Sequence, residues 1–439
     1  SYRLGDRPVV IHAPGVGEFD RDAQDAMLAD FDAAGGLLGL DVESTSHDRL
    51  GPLHRDFQVR TVQLASPSVA YVLRLDDPDQ RDAAETVLRD PRLRFASHTR
   101  YDVLAVMREF GVDISDRWVD TRLLARMAYP LSMDRSRKRE ASAMVDLKTL
   151  ASRHLGGELA FMDRALDERF AQLWMESGGR RNASQREITE HGFNTIDLAD
   201  ETFAVYAGLD AIACRALVPV LIGEAKSTPE LLGTECWLAG LVTRMQWRGM
   251  RVDHDRLEAM ACEARESCEA AERALVSRIG LTPRQNAKLV AWFREHGVDF
   301  EAHGHELTPS GQPKLDKANV ERMLGYDVSD EVRSAARCLL DYKERENALA
   351  KTKEMQTLVA ESFDGRLHPT VDSLGAITAR MTSSEPNIQN FSKEQWRIRT
   401  VLLPDEGHVL IGADFDQIEL RVAAALSQEP DLLRTIREG

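Results

Sequence analysis

The pattern of apolar and polar residues predicts a buried β-strand over residues 37–43. The apolar run 37–40 leads into Asp41, Val42 and Glu43. On a strand, residues i and i+2 point to the same side, so Asp41 and Glu43 project together and Val42 faces the opposite side. Two adjacent carboxylates repel each other, and burying them is costly unless a cation or protons neutralise them. A strand that ends in solvent with two exposed acids is the alternative interpretation.

Further strands and a helix are predicted beside this one. Alternating, β-branched residues predict strands over 58–65 and 69–73, joined by the turn-forming Ser66-Pro67-Ser68. A short apolar strand from Leu93 then leads into a helix whose first turns hold Asp102, where the helix dipole favours an acid whatever its function. Three antiparallel strands followed by helices predict an α/β layer with a mixed sheet.

Two later regions have contrasting patterns. The segment 131–182 is long, polar and in places basic, and we expect it to form solvated loops. The helix predicted over 202–217 carries Tyr206 and Asp210, which lie four residues apart and therefore on one face. A tyrosine at the rim of the core beside a surface acid is the ordinary interpretation of such a pair.

A linker composition at 226–229 separates this region from helical patterns that continue to residue 358. Trp237 opens a helical spacing that ends at Gly249, a plausible C-cap. Small and apolar residues from Leu257 to Leu275 then recur near a heptad step, which favours core packing over a dimeric coil.

The last segment changes character. Residues 377–390 are polar and rich in amides, and a plain loop explains them, yet an arginine and three amides also suit minor-groove acceptors and phosphates. The run 408–413 predicts a buried strand that ends at Asp414, followed by a helix over 417–426. Asp416 and Glu419 have the spacing of a capping box, which is a structural reason for an acid at position 416. Capping does not explain the acid at position 414, at the end of the predicted strand.

Composition narrows the function classes. The chain has 439 residues, 43% hydrophobic and 29% charged, which suits two to three globular domains. Its net charge of −16 excludes coating of nucleic acid by bulk positive charge, although a local basic groove or a bound divalent metal can still hold a polyanion. The five cysteines form no CxxC pair, which favours a reducing compartment. No apolar run approaches a membrane span, so no membrane contact is expected.

The acidic elements together resemble one protein family. The stretch 414–421 is similar to motif A in the palm of family A DNA polymerases, the DNA polymerase I class, and 380–390 resembles the loop before it. The first half resembles the proofreading 3′→5′ exonuclease domain of that family, of the Asp-Glu-Asp-Asp type with a tyrosine. The matching residues, in chain order, are Asp41, Glu43, Asp102, Tyr206 and Asp210. His98 stands where the family usually has an asparagine.

This resemblance implies a domain layout. An α/β exonuclease domain with an RNase H-like mixed sheet and helices is followed by an α+β polymerase thumb and partial palm. The implied parts are the exonuclease domain at 1–224, a linker and palm entry at 225–255, a helical thumb at 256–358 and a partial palm at 359–439. Fingers and the remaining palm have no counterpart in this sequence, so we expect the natural protein to be longer or a second chain to supply them.

The resemblance also implies the chemistry. Two Mg²⁺ or Mn²⁺ ions per active site would be held in the exonuclease by Asp41, Glu43, Asp102 and Asp210, with Tyr206 orienting the attacking water. In the palm, Asp414 would bind metal and Glu419 would exclude a ribose 2′-hydroxyl. The residues implied to contact primer and template are Arg380, Asn387, Gln389 and Asn390.

The implied partners are primer-template DNA, single-stranded 3′ ends and deoxynucleoside triphosphates, in the cytoplasm of a bacterium or a phage-infected host. This chain alone is expected to degrade 3′ ends and not to polymerise. Two alternatives stay open: a stand-alone 3′→5′ exonuclease of the same type acting on RNA or DNA, and a catalytically silent DNA-binding scaffold. The thumb-like helices and motif A argue against the first, and the presence of all four acids and the tyrosine argues against the second.

Overall fold

A computed structural model describes residues 2–14, 21–45, 50–131, 143–391 and 398–438. The strands are β1 Tyr2–Leu4, β2 Arg7–His12, β3 Leu37–Ser44, β4 Val59–Ala65, β5 Val69–Arg74, β6 Arg94–Ser97, β7 Trp118–Asp120, β8 Arg251–Val252, β9 Thr370–Asp372, β10 Thr382–Ser384 and β11 Leu402–Leu403. The helices are α1 Arg21–Ala33, α2 Pro78–Arg89, α3 Arg100–Phe110, α4 Thr121–Ala128, α5 Leu147–His154, α6 Glu158–Glu176, α7 Gln185–Thr195, α8 Glu201–Ala225, α9 Pro229–Arg248, α10 His254–Ile279, α11 Asn286–Glu295, α12 Lys317–Met323, α13 Asp330–Glu361, α14 Ile418–Ser427 and α15 Pro430–Glu438.

A mixed sheet organises the first half, as the sequence predicts. Its strand order is β1-β2-β5-β4-β3-β6-β7. The strand β3 pairs antiparallel with β4 and parallel with β6, and β4 pairs antiparallel with β5. The two predicted strands after β3 therefore form where expected, and β3 lies inside the sheet with a neighbour on each side.

The helix α8 packs directly on β3 because of a glycine. A Cβ atom at Gly39 would overlap the carbonyl oxygen of Ala211, so a larger residue there would push the helix away from the strand. The guanidinium of Arg215 adds a second connection, with Nε donating to the Leu37 carbonyl at 2.9 Å. Since Asp41 lies two residues beyond Gly39, its side chain faces the same helix.

Burial makes α8 the core helix of this half. It is long and apolar enough to cross a membrane, with a mean hydropathy of 1.7 in its most apolar window, and the expectation that no such run exists is wrong. However, 78% of that window is buried inside the protein, where α8 packs against β3, β4 and β5. Packing inside the protein therefore accounts for the apolar character of α8.

The prediction of loops over 131–182 is also wrong in large part. The helices α5 and α6 occupy 147–154 and 158–176, while the basic cluster at 135–139 lies outside the described residues. The helix α5 begins at the N-cap Asp146, whose carboxylate accepts from the Thr149 amide, and it buries Leu147 and Leu150. A few well-spaced apolar residues are enough to dock this polar segment on the neighbouring helices α6 and α8.

Long helices build the second half. The helix α9 ends at Gly249, whose φ of +61° suits glycine, as predicted. The helix α10 packs against α13 through its small and apolar positions, and Leu257, Ala264 and Leu275 are buried, which confirms the core-packing interpretation. A separate core around Phe293 and Leu339 joins α11 and α12 to this pair.

The predicted strand over 408–413 does not form. Val409 and Ile411 are 76% and 87% exposed, and no strand among the described residues pairs with this run. An apolar run becomes a strand only when neighbouring backbones satisfy its hydrogen bonds. The capping box is wrong as well: α14 begins after Gln417 without a side-chain cap.

Candidate metal centre

Three carboxylates meet where β3 contacts α8. One oxygen from each of Asp41, Glu43 and Asp210 lies within 4.8 Å of the other two. The strand places the first two on one face, and the close approach at Gly39 brings Asp210, the neighbour of Ala211, opposite them. Val42 points to the other face and is buried in the core, as predicted.

Burial and mutual repulsion make this site unfavourable for negative charge. Burial, followed by the charge of Glu43, raises the pKa of Asp41 well above its ordinary value. Burial, together with the charge of Asp210, raises the pKa of Glu43 to about 8. The acids therefore either hold protons or require cations near neutral pH.

The donor set fits a hard divalent cation. Oδ2 of Asp41 and Oδ1 of Asp210 are buried side-chain atoms without a hydrogen-bond partner. Unpartnered buried carboxylate oxygens cost free energy, which a bound cation would offset. Oxygen-only ligands suit Mg²⁺ or Mn²⁺ better than softer metals.

Asp102 lies beside this cluster. It sits in the first turn of α3, after the N-cap Thr99, and is 5% exposed. Burial raises its pKa to about 7, with hydrogen bonding to Ser97 acting in the opposite direction. Its charge also contributes to the raised pKa of Asp41, so it is electrostatically part of the site although its oxygens are outside the three-carboxylate group.

Tyr206 lies one helical turn before Asp210 and is 8% exposed. Burial, followed by the charge of Asp210, raises the pKa of its phenol well above the ordinary value. The hydroxyl therefore keeps its proton, while its oxygen accepts a hydrogen bond from Lys148 at 3.0 Å.

Lys148 is a residue of the site that sequence reasoning missed. Its Nζ atom donates to Oδ2 of Asp210 at 2.6 Å and lies 4.6 Å from the centroid of the Tyr206 ring. Burial acts to lower the pKa of Lys148, but the charge of Asp210, the hydrogen bond to it and the charges of Asp41 and Asp163 together outweigh burial, and the net shift is upward. The apolar spacing after Asp146 could have predicted its helix, but not this partner 62 positions away.

His98 is held inside the protein rather than turned into the cluster. Its Nε2 donates to the carbonyl of Val145 at 2.9 Å, and Nδ1 lies 3.0 Å from Oγ1 of Thr121. Burial lowers the pKa of this imidazole to about 4, so it is neutral at physiological pH. The ring thereby ties the segment before α3 to the residues that enter α5.

The predicted residues of the last segment are only partly brought together. Arg380 and Glu419 form an ion pair on the surface. Asp414 is exposed and belongs to no group of three potential metal ligands within the described ranges.

The three amides are engaged within their own loop. Oδ1 of Asn387 accepts from the backbone amides of Gln389 and Asn390, at 3.1 and 3.3 Å. Nε2 of Gln389 donates to the carbonyl of Met381 at 3.2 Å. These contacts join residues 387–390 to one another and to Met381.

Comparison with solved structures shows which fold this chain shares. The chain shares its fold with the POL domain of Pol1 from M. smegmatis, solved in complex with DNA primer-template and dNTP, at a TM-score of 0.61 and 20% sequence identity. The likeness covers 96% of this chain and 64% of that one. The sheet, helices and acidic cluster described above thus occur in a chain with the fold of a DNA polymerase POL domain.

Sequence comparison finds similarity to DNA polymerases. Residues 298–439 match the model of DNA polymerase family A. The DNA polymerase of Mycobacterium phage D29 is 24% identical over 92% of this chain, and DNA polymerase I of Pseudomonas aeruginosa is 25% identical over 95%. This chain is therefore similar to DNA polymerases over most of its length, and its residues 298–439 are similar to DNA polymerase family A.

The extent of these matches matters for function. This chain spans 63% of the length of the phage relative and 44% of the Pseudomonas relative. The family-model match begins at residue 298 and so contains none of the residues of the acidic cluster. The family-model match therefore gives no information on the role of that cluster.

Proposed function

We propose that the acidic cluster is a 3′→5′ exonuclease site that removes nucleotides from DNA ends, in a protein whose second half serves template-directed DNA synthesis. The proposal rests on the grouping of three carboxylates, those of Asp41, Glu43 and Asp210. Two of them, Asp41 and Asp210, each have a buried oxygen without a hydrogen-bond partner. Asp102 and Tyr206 lie beside them, so the five residues implied by the family resemblance occupy one place in the fold.

Two Mg²⁺ or Mn²⁺ ions would be held by Asp41, Glu43, Asp102 and Asp210. When bound, such ions neutralise a phosphodiester and lower the pKa of a coordinated water. The chain's own residues then fix the geometry: β3 and α8 hold the carboxylates rigidly, and Tyr206 retains its phenolic proton to donate to a water or a phosphate oxygen.

For the second half we propose a contribution to a polymerase site. Asp414 would bind metal there, and Glu419 would approach the sugar of an incoming deoxynucleoside triphosphate. Arg380 and the loop amides Asn387, Gln389 and Asn390 would contact primer-template DNA. The family-model match over 298–439 supports this assignment because it contains all six residues.

The domain boundaries at 224/225, 255/256 and 358/359 remain predictions. The end of α8 at Ala225 and the end of α13 at Glu361 lie close to the first and the last of them.

The decisive experiment follows a 5′-labelled primer annealed to a longer template, with Mg²⁺ and without nucleotides. We expect stepwise shortening by the wild-type chain and at least a 100-fold slower reaction for Asp41→Ala, since one metal-binding carboxylate is lost. Asp6→Ala removes an exposed acid as a matched control and should not change the rate. Equal shortening by the Asp41→Ala variant would overturn the proposal, and binding without shortening by wild type would favour the silent scaffold.

A further inference from the structure

The carboxylate of Asp210 has two different environments. Oδ2 accepts from Lys148 at 2.6 Å, whereas Oδ1 is buried without a hydrogen-bond partner. A carboxylate held at one oxygen by a fixed donor cannot rotate freely. Lys148 therefore fixes the orientation of the Asp210 carboxylate, one oxygen of which lies within 4.8 Å of an oxygen of Asp41 and of Glu43.

Lys148 also reaches the second functional side chain of α8. The same Nζ atom donates to the hydroxyl of Tyr206 at 3.0 Å and lies above its ring. Tyr206 and Asp210 are four residues apart, so one ammonium group holds both on the same face of the helix. The more exposed Asp163 of α6 lies 4.0 Å from Nζ and supports the lysine from the solvent side.

The charge balance of the site depends on this lysine. Among the residues that the structure describes, Lys148 is the cation that forms an ion pair with the cluster. Arg60 is close enough to influence Glu43, yet its guanidinium donates to the carbonyls of Phe193 and Ile196. A resident ammonium beside Asp210 opposes the approach of a second cation, because like charges at this range repel strongly in a protein interior.

We propose that Lys148 is a positioning residue with two opposing effects: it orients Tyr206 and Asp210 for reaction, and it weakens binding of divalent cations to the cluster. The inference rests on the exonuclease function proposed above for the rate, but not for the metal affinity. Replacing the lysine should therefore make the site bind metal more tightly while making it work more slowly. A residue needed only for folding would not produce this combination.

The test combines metal binding with kinetics. Mn²⁺ affinity of the DNA-free 439-residue chain is measured by electron paramagnetic resonance of the free ion, and kcat and KM come from primer shortening. For Lys148→Met we expect Mn²⁺ to bind roughly tenfold more tightly, and kcat to fall about 100-fold with little change in KM. Lys148→Arg, which keeps the charge, should retain wild-type Mn²⁺ affinity.

Two further variants distinguish the proposed effect from a loss of folding and from a general effect of removing a lysine. Lys148→Gln keeps a donor without the charge, and should give the tighter Mn²⁺ binding even if the methionine variant does not fold. Lys343→Met is the matched control, because Lys343 lies 5.9 Å from the Tyr342 ring and pairs with Glu346 far from the cluster. Unchanged or weaker Mn²⁺ binding by the glutamine variant would overturn the inference. Since this readout needs no nuclease activity, its failure is distinguishable from failure of the proposed function.

Discussion

Glu43 shows what burial does to a single carboxyl group. In the folded protein its pKa lies at about 8, whereas its ordinary value is 4.5. The folded state therefore binds a proton that the unfolded state releases between these two values. Without metal, the stability that depends on this proton is complete at low pH and is lost as the pH rises through about 8.

Comparison of wild type with Glu43→Gln isolates this effect. In chelator, the free energy of unfolding of wild type relative to the variant should fall between pH 5 and pH 9, by on the order of 2–4 kcal/mol. Urea denaturation at several pH values measures it. Saturating Mg²⁺ should reduce the loss at pH 9, because the cation replaces the proton. A pH-independent difference between the two proteins would contradict the assigned burial of Glu43.

Individual residues differ in how far their roles could be predicted. The alternation on β3 is enough to predict that Asp41 and Glu43 share a face, since strand geometry is local. The positions of Asp102 and Tyr206 beside them came from a family resemblance, because spacing alone cannot place residues from different elements together. Lys148 escaped prediction because a long, flexible side chain in a polar segment is ordinarily solvated.

At the scale of elements, the contact of α8 with β3 is the one on which the site depends. The backbones meet at Gly39 and Ala211. Asp210 lies one position from Ala211, and Asp41 and Glu43 lie two and four positions from Gly39. Any side chain at residue 39 would separate the two elements and with them the ligands. The packing of a helix on a strand thus sets the distances between the carboxylates of the candidate metal centre.

Gly39→Ala tests this dependence. We expect the variant to lose about 2–3 kcal/mol of stability, because a Cβ atom there overlaps the Ala211 carbonyl. Mn²⁺ affinity should fall at the same time, as Asp210 moves away from Asp41. Thermal denaturation and a Mn²⁺ titration measure the two effects.

Gly223→Ala is the matched control for that experiment. Gly223 also belongs to α8, but a Cβ there meets no atom within 4 Å. Alanine should therefore stabilise the helix by about 0.5–1 kcal/mol and leave the metal site unchanged. Equal metal affinity in both variants would show that the close approach at Gly39 does not position the ligands.

Strands and helices were predicted correctly where the spacing of their own apolar residues is enough to determine them. The strands β3, β4 and β5 and the buried face of α10 follow from periodicity, since each carries its apolar residues at the spacing of its own geometry. The run 408–413 has an equally apolar pattern but forms no strand, because pairing depends on a neighbour. The helices α5 and α6 were missed because their charged residues obscure the few apolar positions that dock them.

At the scale of the whole molecule, two of the apolar cores formed by the described residues differ in how far they extend along the chain. One contains Leu53, Phe57, Met355, Leu358 and Val401, and so joins the sheet to distant parts of the second half. The backbone amide of Phe363 donates to the Leu53 carbonyl at 2.9 Å across this junction. The other core, around Phe293, lies entirely between residues 275 and 339.

Hydrogen exchange should reveal this division. Leu53→Ala, at a fully buried position, should cost about 2–5 kcal/mol and reduce protection both in β3–β5 and in residues 355–361. Phe293→Ala should cost a similar amount but reduce protection mainly between residues 275 and 339. Loss of protection confined to residues before 225 in the Leu53→Ala variant would show that the sheet unfolds independently.

The ion pair between Lys148 and Asp210 has a practical consequence for handling the protein. Because an internal cation remains when chelator strips external ones, the depleted protein should keep its shape rather than collapse. Metal could then be withdrawn and returned repeatedly, as a reversible switch. If the cluster is the metal-dependent exonuclease site proposed above, stocks could be stored with DNA in an inactive form and started at a chosen moment by adding Mg²⁺.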